Sequence, residues 1–373
     1  MLKKRILSFL GAAAVTAALT FAVVSVSPSN GFTSGSLQEG MSYDTCGVSP
    51  DAVVASVDGN GATADLITYW IGYNATYLNS YMQYYGGGAL DWDYVMSDGT
   101  AMSDYVKNDV LTTVKQELVI ENLAEKYGVE LTDEQLTAME SDEQGFIEQY
   151  GGEEGFDAEL AKLGLRRETY ERITRTNYLY QDLYKLYLTE GSALYASNED
   201  LAAYAAAQGY ITADHILLTT VDTATGEALS DEQKAEKKAL AEELAEKLKN
   251  YTGDDLASYF AELADEYSED PGRASNPTGY TFTTGSMVQE FEDAAYALDE
   301  GAVSDIVESK FGYHILLRLP LDKTAAAETV REDYFSNFID EQMDKAKTAT
   351  SAEYDKLDAK ALYEAIVAAQ AEG

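Results

Sequence analysis

The chain has 373 residues, of which 65 are acidic and 26 are basic, and its formal charge is −39. Its hydrophobic fraction of 46% is ordinary for a globular protein and argues against wholesale disorder, and its length predicts about two or three domains. The charge argues against nucleic acid as a partner, because phosphate binding needs clustered Lys and Arg, and a single cysteine excludes an internal disulfide.

The N-terminus has the composition of an export signal. Lys3, Lys4 and Arg5 precede an uncharged, mostly apolar run over residues 6–27. At roughly 20 residues, this run is also long enough to span a bilayer. We therefore predict that residues 1–27 are a signal peptide or a membrane anchor. In either case the protein would act outside the cytoplasm, secreted or anchored at the outer face of the cytoplasmic membrane.

A linker and a mainly helical region follow this segment. Residues 28–50 are rich in Ser, Gly and Pro and predict a linker that carries Cys46 as a lone thiol. A β-like run over 53–57 ends in the turn signal Asp58-Gly59-Asn60-Gly61. From there to about residue 207 the apolar spacing is that of amphipathic helices, and a capping box at Thr132 marks one helix start.

Five tyrosines recur every four residues near the start of the helical region, at Tyr69, Tyr73, Tyr77, Tyr81 and Tyr85. This spacing places them along one face of a helix. They can form helix core, or they can line an aromatic cleft that holds unfolded segments, because Tyr offers contact area at low entropy cost. The sequence leaves both interpretations open.

The pattern changes at Ile211, where strands begin to alternate with helices. A capping box at Ser230 marks the start of the first helix after this point. Strands are predicted over residues 211–219, 303–307 and 312–319, and helices over 230–250, 255–267, 291–298, 325–349 and 354–369. The result is an α+β module of about 110 residues between helical segments.

Three stretches of this module carry residues that bear on its chemistry. They are Ala213-Asp214-His215-Ile216-Leu217-Leu218, then Tyr267–Gly272 followed by Gly285–Ala295, then Gly301–Ser304 followed by Phe311–Leu316. In order and spacing they closely resemble the parvulin family of peptidyl-prolyl isomerases over about residues 209–320. The helical region before them resembles the N-terminal region of exported foldases of the PrsA and SurA type.

The resemblance implies a hydrogen-bonded network built on two histidines. The chain has only two histidines, and both His215 and His314 fall at motif positions. Asp270 falls where family members carry Cys or Asp beside the histidines, and Ser309 lies where a hydroxyl joins the network. No metal, cofactor or covalent nucleophile is implied, because isomerisation of an Xaa-Pro bond crosses a barrier of about 18–20 kcal/mol without breaking a bond.

The resemblance also implies a proline pocket. Met287 and Phe291, four residues apart at a helix start, would form the pocket, with Phe282 as a supporting wall. The family usually has a Leu that helps to line this pocket, but Gly279 stands in its position here. Tyr280 would then have to supply that apolar surface.

The segment after the first histidine indicates which substrates to expect. Phospho-specific members of the family carry a basic cluster there, whereas residues 219–227 contain Asp222 and Glu227 and no Lys or Arg. A phosphate would be repelled, so we do not expect phosphopeptides as substrates. The predicted partners are unfolded or newly translocated polypeptides that contain proline.

Together these observations predict an α+β protein whose parvulin-like domain is inserted in a mainly α-helical, chaperone-like domain. The inserted domain, over residues 208–320, would be a small antiparallel sheet with surrounding helices. Residues 51–207 and the C-terminal helices over 321–373 would pack together as the helical domain. The predicted function is Xaa-Pro isomerisation in secreted or surface proteins, with client binding by the helical domain.

Two alternatives to this function remain open. In the first, the protein is a non-catalytic or weakly catalytic holdase that uses the parvulin fold as a binding scaffold. In the second, it is a surface or matrix protein that binds no client and catalyses no isomerisation. Catalysis on short proline peptides and suppression of client aggregation separate the three possibilities.

Overall fold

The structure is a computed structural model that describes residues 31–84, 88–222, 225 and 227–371. The export or anchor segment predicted over residues 1–27 and the tyrosine at position 85 lie outside the described residues. Within the described part of the chain, no helix is long and apolar enough to cross a membrane. Two compact units are present: one contains the described residues up to Tyr195 and from Phe335 onward, and the other is Ala196–Tyr334.

The first unit is mainly helical. Up to Tyr195 it consists of α1 (Met41–Cys46), β1 (Val53–Val57), β2 (Asn60–Thr63), α2 (Ala64–Tyr84), α3 (Met102–Tyr127), α4 (Asp133–Gln149), α5 (Glu153–Lys162) and α6 (Arg167–Leu188). The long helices pack α2 against α3 and α3 against α6, around fully buried side chains such as Ile71, Leu118 and Leu183. The predicted capping box is present, since Thr132 accepts from the Gln135 backbone N–H and Gln135 from the Thr132 N–H.

The second unit contains α7 (Asn198–Ala207), β3 (Ile211–Thr219), α8 (Asp231–Lys249), α9 (Leu256–Tyr267), a 3₁₀ turn (Arg273–Ser275), β4 (Tyr280–Phe282), α10 (Gln289–Ala297), β5 (Val307–Ser309), β6 (Gly312–Leu319) and the first half of α11 (Lys323–Lys345). Its four strands form one antiparallel sheet in the order β4-β3-β6-β5. The predicted α+β class is therefore confirmed.

After α11 the chain returns to the first unit with β7 (Thr348–Thr350), α12 (Ala352–Lys356) and α13 (Ala359–Ala371). Strand β7 pairs antiparallel with β1 and completes a sheet in the order β2-β1-β7. The prediction of a helix over 325–349 is wrong at its end, because the backbone of residues 347–351 bonds to Asp58 and Val54 instead of continuing the helix. The predicted helix over 354–369 is divided between α12 and α13.

A tight turn joins β1 to β2. Asp58 and Gly59 both have positive φ, at 51° and 93°, which a two-residue hairpin loop with the right-handed strand twist requires. The stretch predicted as a linker contains α1, and in it Val48 is buried. Cys46 is half-buried and accepts the Asp358 backbone N–H at 3.4 Å, so this stretch packs on the first unit.

The tyrosine series on α2 divides between core and surface. Tyr69 packs on a buried cluster that contains Phe156 and Leu160. Tyr73, Tyr77 and Tyr81 are 37–40% exposed, further along the same helix. The core interpretation therefore holds for the start of the series, and an aromatic surface is present at its end.

The prediction of a strand over 303–307 is wrong. Val303 forms only an isolated bridge with Leu317, and the strand β5 begins at Val307. The hydroxyl of Ser304 accepts the Leu316 N–H at 2.9 Å, so a side chain takes a ladder position that a strand carbonyl would otherwise fill. The strands predicted over 211–219 and 312–319 are confirmed at both ends.

Candidate active site

The pleat of the central strand pair places both histidines on one face of the sheet. In the β3–β6 pair His215 lies opposite Leu316, and His314 lies opposite Leu217. Because alternate residues share a face, the two imidazoles are diagonal neighbours. On the other face, Ile216 and Ile315 pack with helices α8 and α9 in an apolar core. One face of the sheet thus packs in the apolar core, and the other face carries the two histidines.

Four side chains form a hydrogen-bonded chain on the histidine face. His215 Nε2 lies 3.2 Å from Asp270 Oδ2, and His215 Nδ1 lies 3.2 Å from His314 Nδ1. His314 Nε2 lies 2.7 Å from Ser309 Oγ. The imidazole rings are nearly parallel, with an angle of 13° and centroids 5.4 Å apart. The structure therefore brings together all four residues that the sequence placed in a network.

The polarity of this chain follows from the charge of its members. Hydrogen bonding to His215, helped by Tyr280, holds the pKa of Asp270 well below its usual range, so the carboxylate only accepts. Burial, helped by the neighbouring His215, lowers the pKa of His314 to about 4, so this ring is neutral. With one proton on each ring, His215 Nε2–H donates to Asp270, His314 Nδ1–H donates to His215, and Ser309 O–H donates to His314 Nε2.

The loop that carries Asp270 is fastened along strand β3. The Glu269 N–H donates to the Leu217 carbonyl at 2.8 Å, and the Leu217 N–H donates to Ser268 Oγ at 3.1 Å. The Gly272 N–H donates to Asp270 Oδ1 at 3.1 Å. The carboxylate is therefore held from both sides, by its own loop and by the sheet.

A buried ion pair behind His215 was not predicted from the sequence. Asp214 is 3% exposed, and its Oδ1 accepts from Arg273 Nη1 at 2.6 Å and from the His215 N–H at 2.8 Å. Arg273 also donates to Asp265 of α9 at 2.9 Å. A signal for this pair exists, because a carboxylate inside a strand that is buried at all nine positions needs a cationic partner. The pair ties the Asp270 loop to the strand of His215.

The predicted pocket residues line the same face of the sheet. Phe291 is buried, and its ring meets those of His215 and His314 edge to face, at centroid distances of 5.2 and 5.7 Å. Phe282 packs against Phe291 at 5.6 Å, and Met287 is half-buried on the same apolar cluster. The structure thus places an apolar wall directly beside the imidazoles.

Glu292 is a further residue that the sequence did not single out. It is 3% exposed, and it accepts the Gly285 N–H at 2.9 Å and the Met287 N–H at 2.8 Å. Hydrogen bonds from these backbone N–H groups lower the pKa of Glu292, and the bond from Gly285 has the largest effect. The carboxylate fastens the loop that carries Met287 to the first turn of α10, next to Phe291.

Tyr280 has a polar contact in addition to the predicted apolar one. Its ring lies 5.6 Å from the His215 ring, edge to face, and its hydroxyl donates to Asp270 Oδ2 at 2.5 Å. Gly279 precedes it with φ of 90°, and a Cβ at that position would lie 2.8 Å from the Ala213 carbonyl oxygen. This backbone therefore has no room for the Leu that the family usually carries there.

The residues that the structure describes contain no group of three or more His, Cys, Asp or Glu side chains that could hold a metal ion. The site offers a fixed chain of donors and acceptors beside an aromatic wall. Such an arrangement can grip an apolar ring and stabilise a changed distribution of charge on an amide.

Part of the chain is similar to a known domain family and to known proteins. Residues 215–319 match the PPIC-type PPIase (rotamase) domain family. The foldase PrsA of Geobacillus sp. (strain WCH70) is 38% identical over 122 residues, which are 32% of this chain and 42% of that protein. The foldase PrsA of Staphylococcus aureus (strain bovine RF122 / ET3-1) is 26% identical over 259 residues, 68% of this chain and 71% of that protein.

Two solved structures can be compared with parts of this chain. The parvulin NmPin of Nitrosopumilus maritimus is 35% identical and covers 30% of this chain and 95% of its own, with a TM-score of 0.21. PrsA of Bacillus subtilis is 22% identical and covers 68% of this chain and 92% of its own, with a TM-score of 0.27.

Proposed function

Residues 215–319 belong to the parvulin-type peptidyl-prolyl cis-trans isomerases, and from this premise we propose that the protein is an exported folding factor. Its clients would be secreted or surface polypeptides that contain proline. The isomerase domain would accelerate the rotation of their Xaa-Pro bonds, which takes tens to hundreds of seconds without a catalyst. The helical unit would bind the client chain during this reaction.

One observation carries the isomerase proposal: the ring of Phe291 meets both imidazoles of the hydrogen-bonded chain. A proline ring held against Phe291 and Met287 would place its amide beside His215. As the amide twists, the lone pair returns to the proline nitrogen and the carbonyl dipole changes. Fixed dipoles in a site that excludes water favour this state over the planar amide.

The holdase alternative rests on a different observation. Tyr73, Tyr77 and Tyr81 present exposed aromatic surface along α2, and this helix contains no Lys or Arg. Such a surface suits weak contacts with many unfolded sequences. In this alternative the first unit prevents clients from aggregating, and the second unit binds proline segments with little or no catalysis of isomerisation.

Export and the choice of partner belong to the same proposal. The basic and apolar composition of residues 1–27 supports export, and the similarity to PrsA foldases supports a role in protein folding. The charge of −39 would keep a client-loaded protein soluble, and it disfavours phosphopeptides and nucleic acid as partners.

An exchange assay on short Xaa-Pro peptides tests the proposal. The wild-type protein and the variants His215→Ala and Met287→Ala are compared by NMR exchange spectroscopy or by a protease-coupled assay. Leu298→Ala is the matched control, because Leu298 packs partly buried on the same apolar cluster as Met287 and has no ring contact with the histidines. We expect catalysis in the wild type and in the control, and a loss of about ten-fold or more in the other two variants.

One result would contradict the isomerase proposal, and another would contradict only the assignment of Met287 to its site. One is a wild-type rate equal to the uncatalysed rate in a protein that still prevents an unfolded client from aggregating, which would favour the holdase. The other is equal loss in Leu298→Ala and Met287→Ala, which would indicate general damage to the fold. Folding of Met287→Ala and Leu298→Ala is checked by the two histidine NMR signals, and folding of His215→Ala by the remaining signal of His314, because both histidines lie in the second unit.

A further inference from the structure

We infer that Tyr280 is a positioning residue of this active site, whose hydroxyl fixes the Asp270 carboxylate in the place and orientation that His215 requires. The inference rests on the proposed isomerase function and deepens it. It assigns to Tyr280 a polar task, whereas the sequence indicated only an apolar surface. Tyr280 would act through Asp270 and His215 and would not supply a group to the reacting amide.

The geometry of the carboxylate carries the first step. Asp270 Oδ2 accepts from the Tyr280 hydroxyl at 2.5 Å and lies 3.2 Å from His215 Nε2, while Oδ1 accepts from the Gly272 N–H at 3.1 Å. Donors on both oxygens fix the rotation of the carboxylate about its Cβ–Cγ bond. The shorter contact is with Tyr280, so the tyrosine sets the position of the oxygen that His215 uses.

The backbone on both sides is shaped to admit this hydroxyl. A Cβ on Gly272 would lie 2.1 Å from the Tyr280 hydroxyl oxygen, so any larger residue there would displace it. Gly279 makes the turn into β4, where Tyr280 pairs with Ala213 two residues before His215. The two glycines and the register of β4 on β3 therefore together determine the position of the Tyr280 hydroxyl.

The charged groups around Asp270 do not duplicate this contact. Arg273, three residues along the loop, is engaged with Asp214 and Asp265. Glu269, the neighbour of Asp270 in the chain, is engaged with Lys237 and with Thr219 of β3.

Two further titratable groups face the carboxylate from the sheet. On β3 this is His215, with His314 of β6 behind it, and on β4 it is Tyr280 itself. Burial, helped by the carboxylate, raises the pKa of Tyr280, which keeps the phenol protonated and able to donate. Without the hydroxyl, Asp270 would keep one side-chain donor, His215, among the contacts described for it.

The consequence concerns the orientation of the histidine chain. When His215 carries a single proton, a fixed acceptor on Asp270 holds this proton on Nε2, which leaves Nδ1 to accept from His314. If the carboxylate could rotate, the two tautomers of His215 would approach equal populations. The ring of the residue at 280 would still pack against His215, so substrate binding would change less than turnover.

The test compares Tyr280→Phe with Tyr296→Phe. Tyr296 is a matched control because its hydroxyl donates to the Gly209 carbonyl at 2.9 Å, in the same unit but away from the histidines. For Tyr280→Phe we expect kcat to fall about ten-fold with KM within about two-fold, the loss typical of one hydrogen bond to a charged group. Gly272→Ala, which displaces the hydroxyl without removing it, should reproduce this result.

A second readout does not depend on catalysis. The ring nitrogens of the two histidines are observed by ¹⁵N NMR across a pH titration. We expect His215 to be the Nε2–H tautomer in the wild type and in Tyr296→Phe, and a mixture of tautomers in Tyr280→Phe. If Tyr280→Phe matches Tyr296→Phe in both spectra and kinetics, the inference is wrong.

The two readouts also separate this inference from the proposed function. A wild-type protein without catalysis would overturn the isomerase proposal. The tautomer populations of His215 would still show whether the Tyr280 hydroxyl positions Asp270. A lower kcat in Tyr280→Phe with unchanged histidine spectra would overturn the positioning role, because the loss would then not pass through the histidine chain.

Discussion

Each of the two units buries an ionisable side chain, and the same physical cause shifts the two pKa values in opposite directions. In the first unit, called the helical unit from here on, burial raises the pKa of Glu117 to about 8. In the second unit, Ala196–Tyr334, called the isomerase unit after its proposed function, burial lowers the pKa of His314 to about 4. Removal from water disfavours the charged form, which is the deprotonated carboxyl in one unit and the protonated imidazole in the other. The units should therefore respond to acid in opposite ways.

The surroundings of the two groups explain why neither is charged. The carboxylate of Glu121 accepts two hydrogen bonds from Arg172, at 2.8 and 2.6 Å. This nearby cation is therefore paired with Glu121. Glu117 keeps a contact of 3.2 Å with the Trp70 indole N–H. His314 lies between His215 and a serine hydroxyl, and among the described residues these two are the hydrogen-bond partners of its ring. In both units burial outweighs the neighbours that favour the charged form, which are Arg172 and the Trp70 N–H for Glu117 and Asp270 for His314.

The chain also carries a separate reporter for each unit. Both tryptophans, Trp70 and Trp92, lie in the helical unit, and both histidines lie in the isomerase unit. Indole fluorescence or NMR signals therefore follow one unit, and imidazole signals follow the other.

The largest expected effect is a loss of stability of the helical unit as the pH rises. Between about pH 5 and pH 8 the folded Glu117 keeps a proton that the unfolded chain releases, so the free energy of unfolding falls with pH. The expected loss is on the order of 4 kcal/mol, at about 1.4 kcal/mol per pKa unit. Urea unfolding followed by tryptophan fluorescence at several pH values measures it.

Glu117→Gln should remove most of this pH dependence, because the amide stays neutral and can still accept from Trp70. A smaller slope should remain, since burial also raises the pKa of Glu171 to about 7. Glu140→Gln, an exposed carboxyl on α4, is the control and should leave the slope unchanged. Equal slopes in Glu117→Gln and in the wild type would refute the assignment.

The next effect is smaller and has the opposite sign. The stability that neutral His314 gives the isomerase unit is complete above the ordinary histidine pKa of 6.5 and is lost as the pH falls through about 4. The lowered pKa of Asp270 acts in the same direction at still lower pH. From about pH 7 to pH 4 the unit should lose on the order of 3 kcal/mol.

A urea titration followed by proton NMR observes both responses in one sample. As the pH falls, the midpoint from the imidazole signals should move to lower urea while the midpoint from the indole signals moves to higher urea. If both midpoints fell together, a general effect of the net charge would explain the data better than these two buried groups. The comparison between the units would then be wrong.

Local signals in the sequence were sufficient for much of the isomerase unit. The runs over 211–219 and 312–319 are continuous and apolar, which is typical of strands packed on both faces, and the structure has both. The histidines could be placed because each lies inside one of these runs, and the pleat then determines their common face. Ser230 and Thr132 mark helix starts through contacts only three residues long.

Contacts between distant residues could not be predicted in this way. Strand β7 is three residues long and depends on pairing with β1, nearly 300 positions earlier in the chain, so no local pattern announces it. The bond between Asp214 and Arg273 and the hydroxyl contact of Tyr280 likewise depend on how one loop lies on the sheet. Likewise, only the φ of Gly279 and its distance to Ala213 explain why glycine stands where the family usually has Leu.

The smallest expected effect concerns two helix caps that do not titrate. Thr132 in the helical unit and Ser230 in the isomerase unit each accept a backbone N–H three residues on, at 3.2 and 3.3 Å. Replacing either with Ala should cost about 1 kcal/mol of the free energy of unfolding of its own unit, at any pH.

The two variants should differ slightly, because Gln135 also donates to Asp182 of α6 at 2.7 Å. Thr132→Ala should therefore be the milder variant, because α6 still holds Gln135 in place. The indole midpoint measures the first variant and the imidazole midpoint the second, and a cost that varied with pH would show that the caps are coupled to the buried groups.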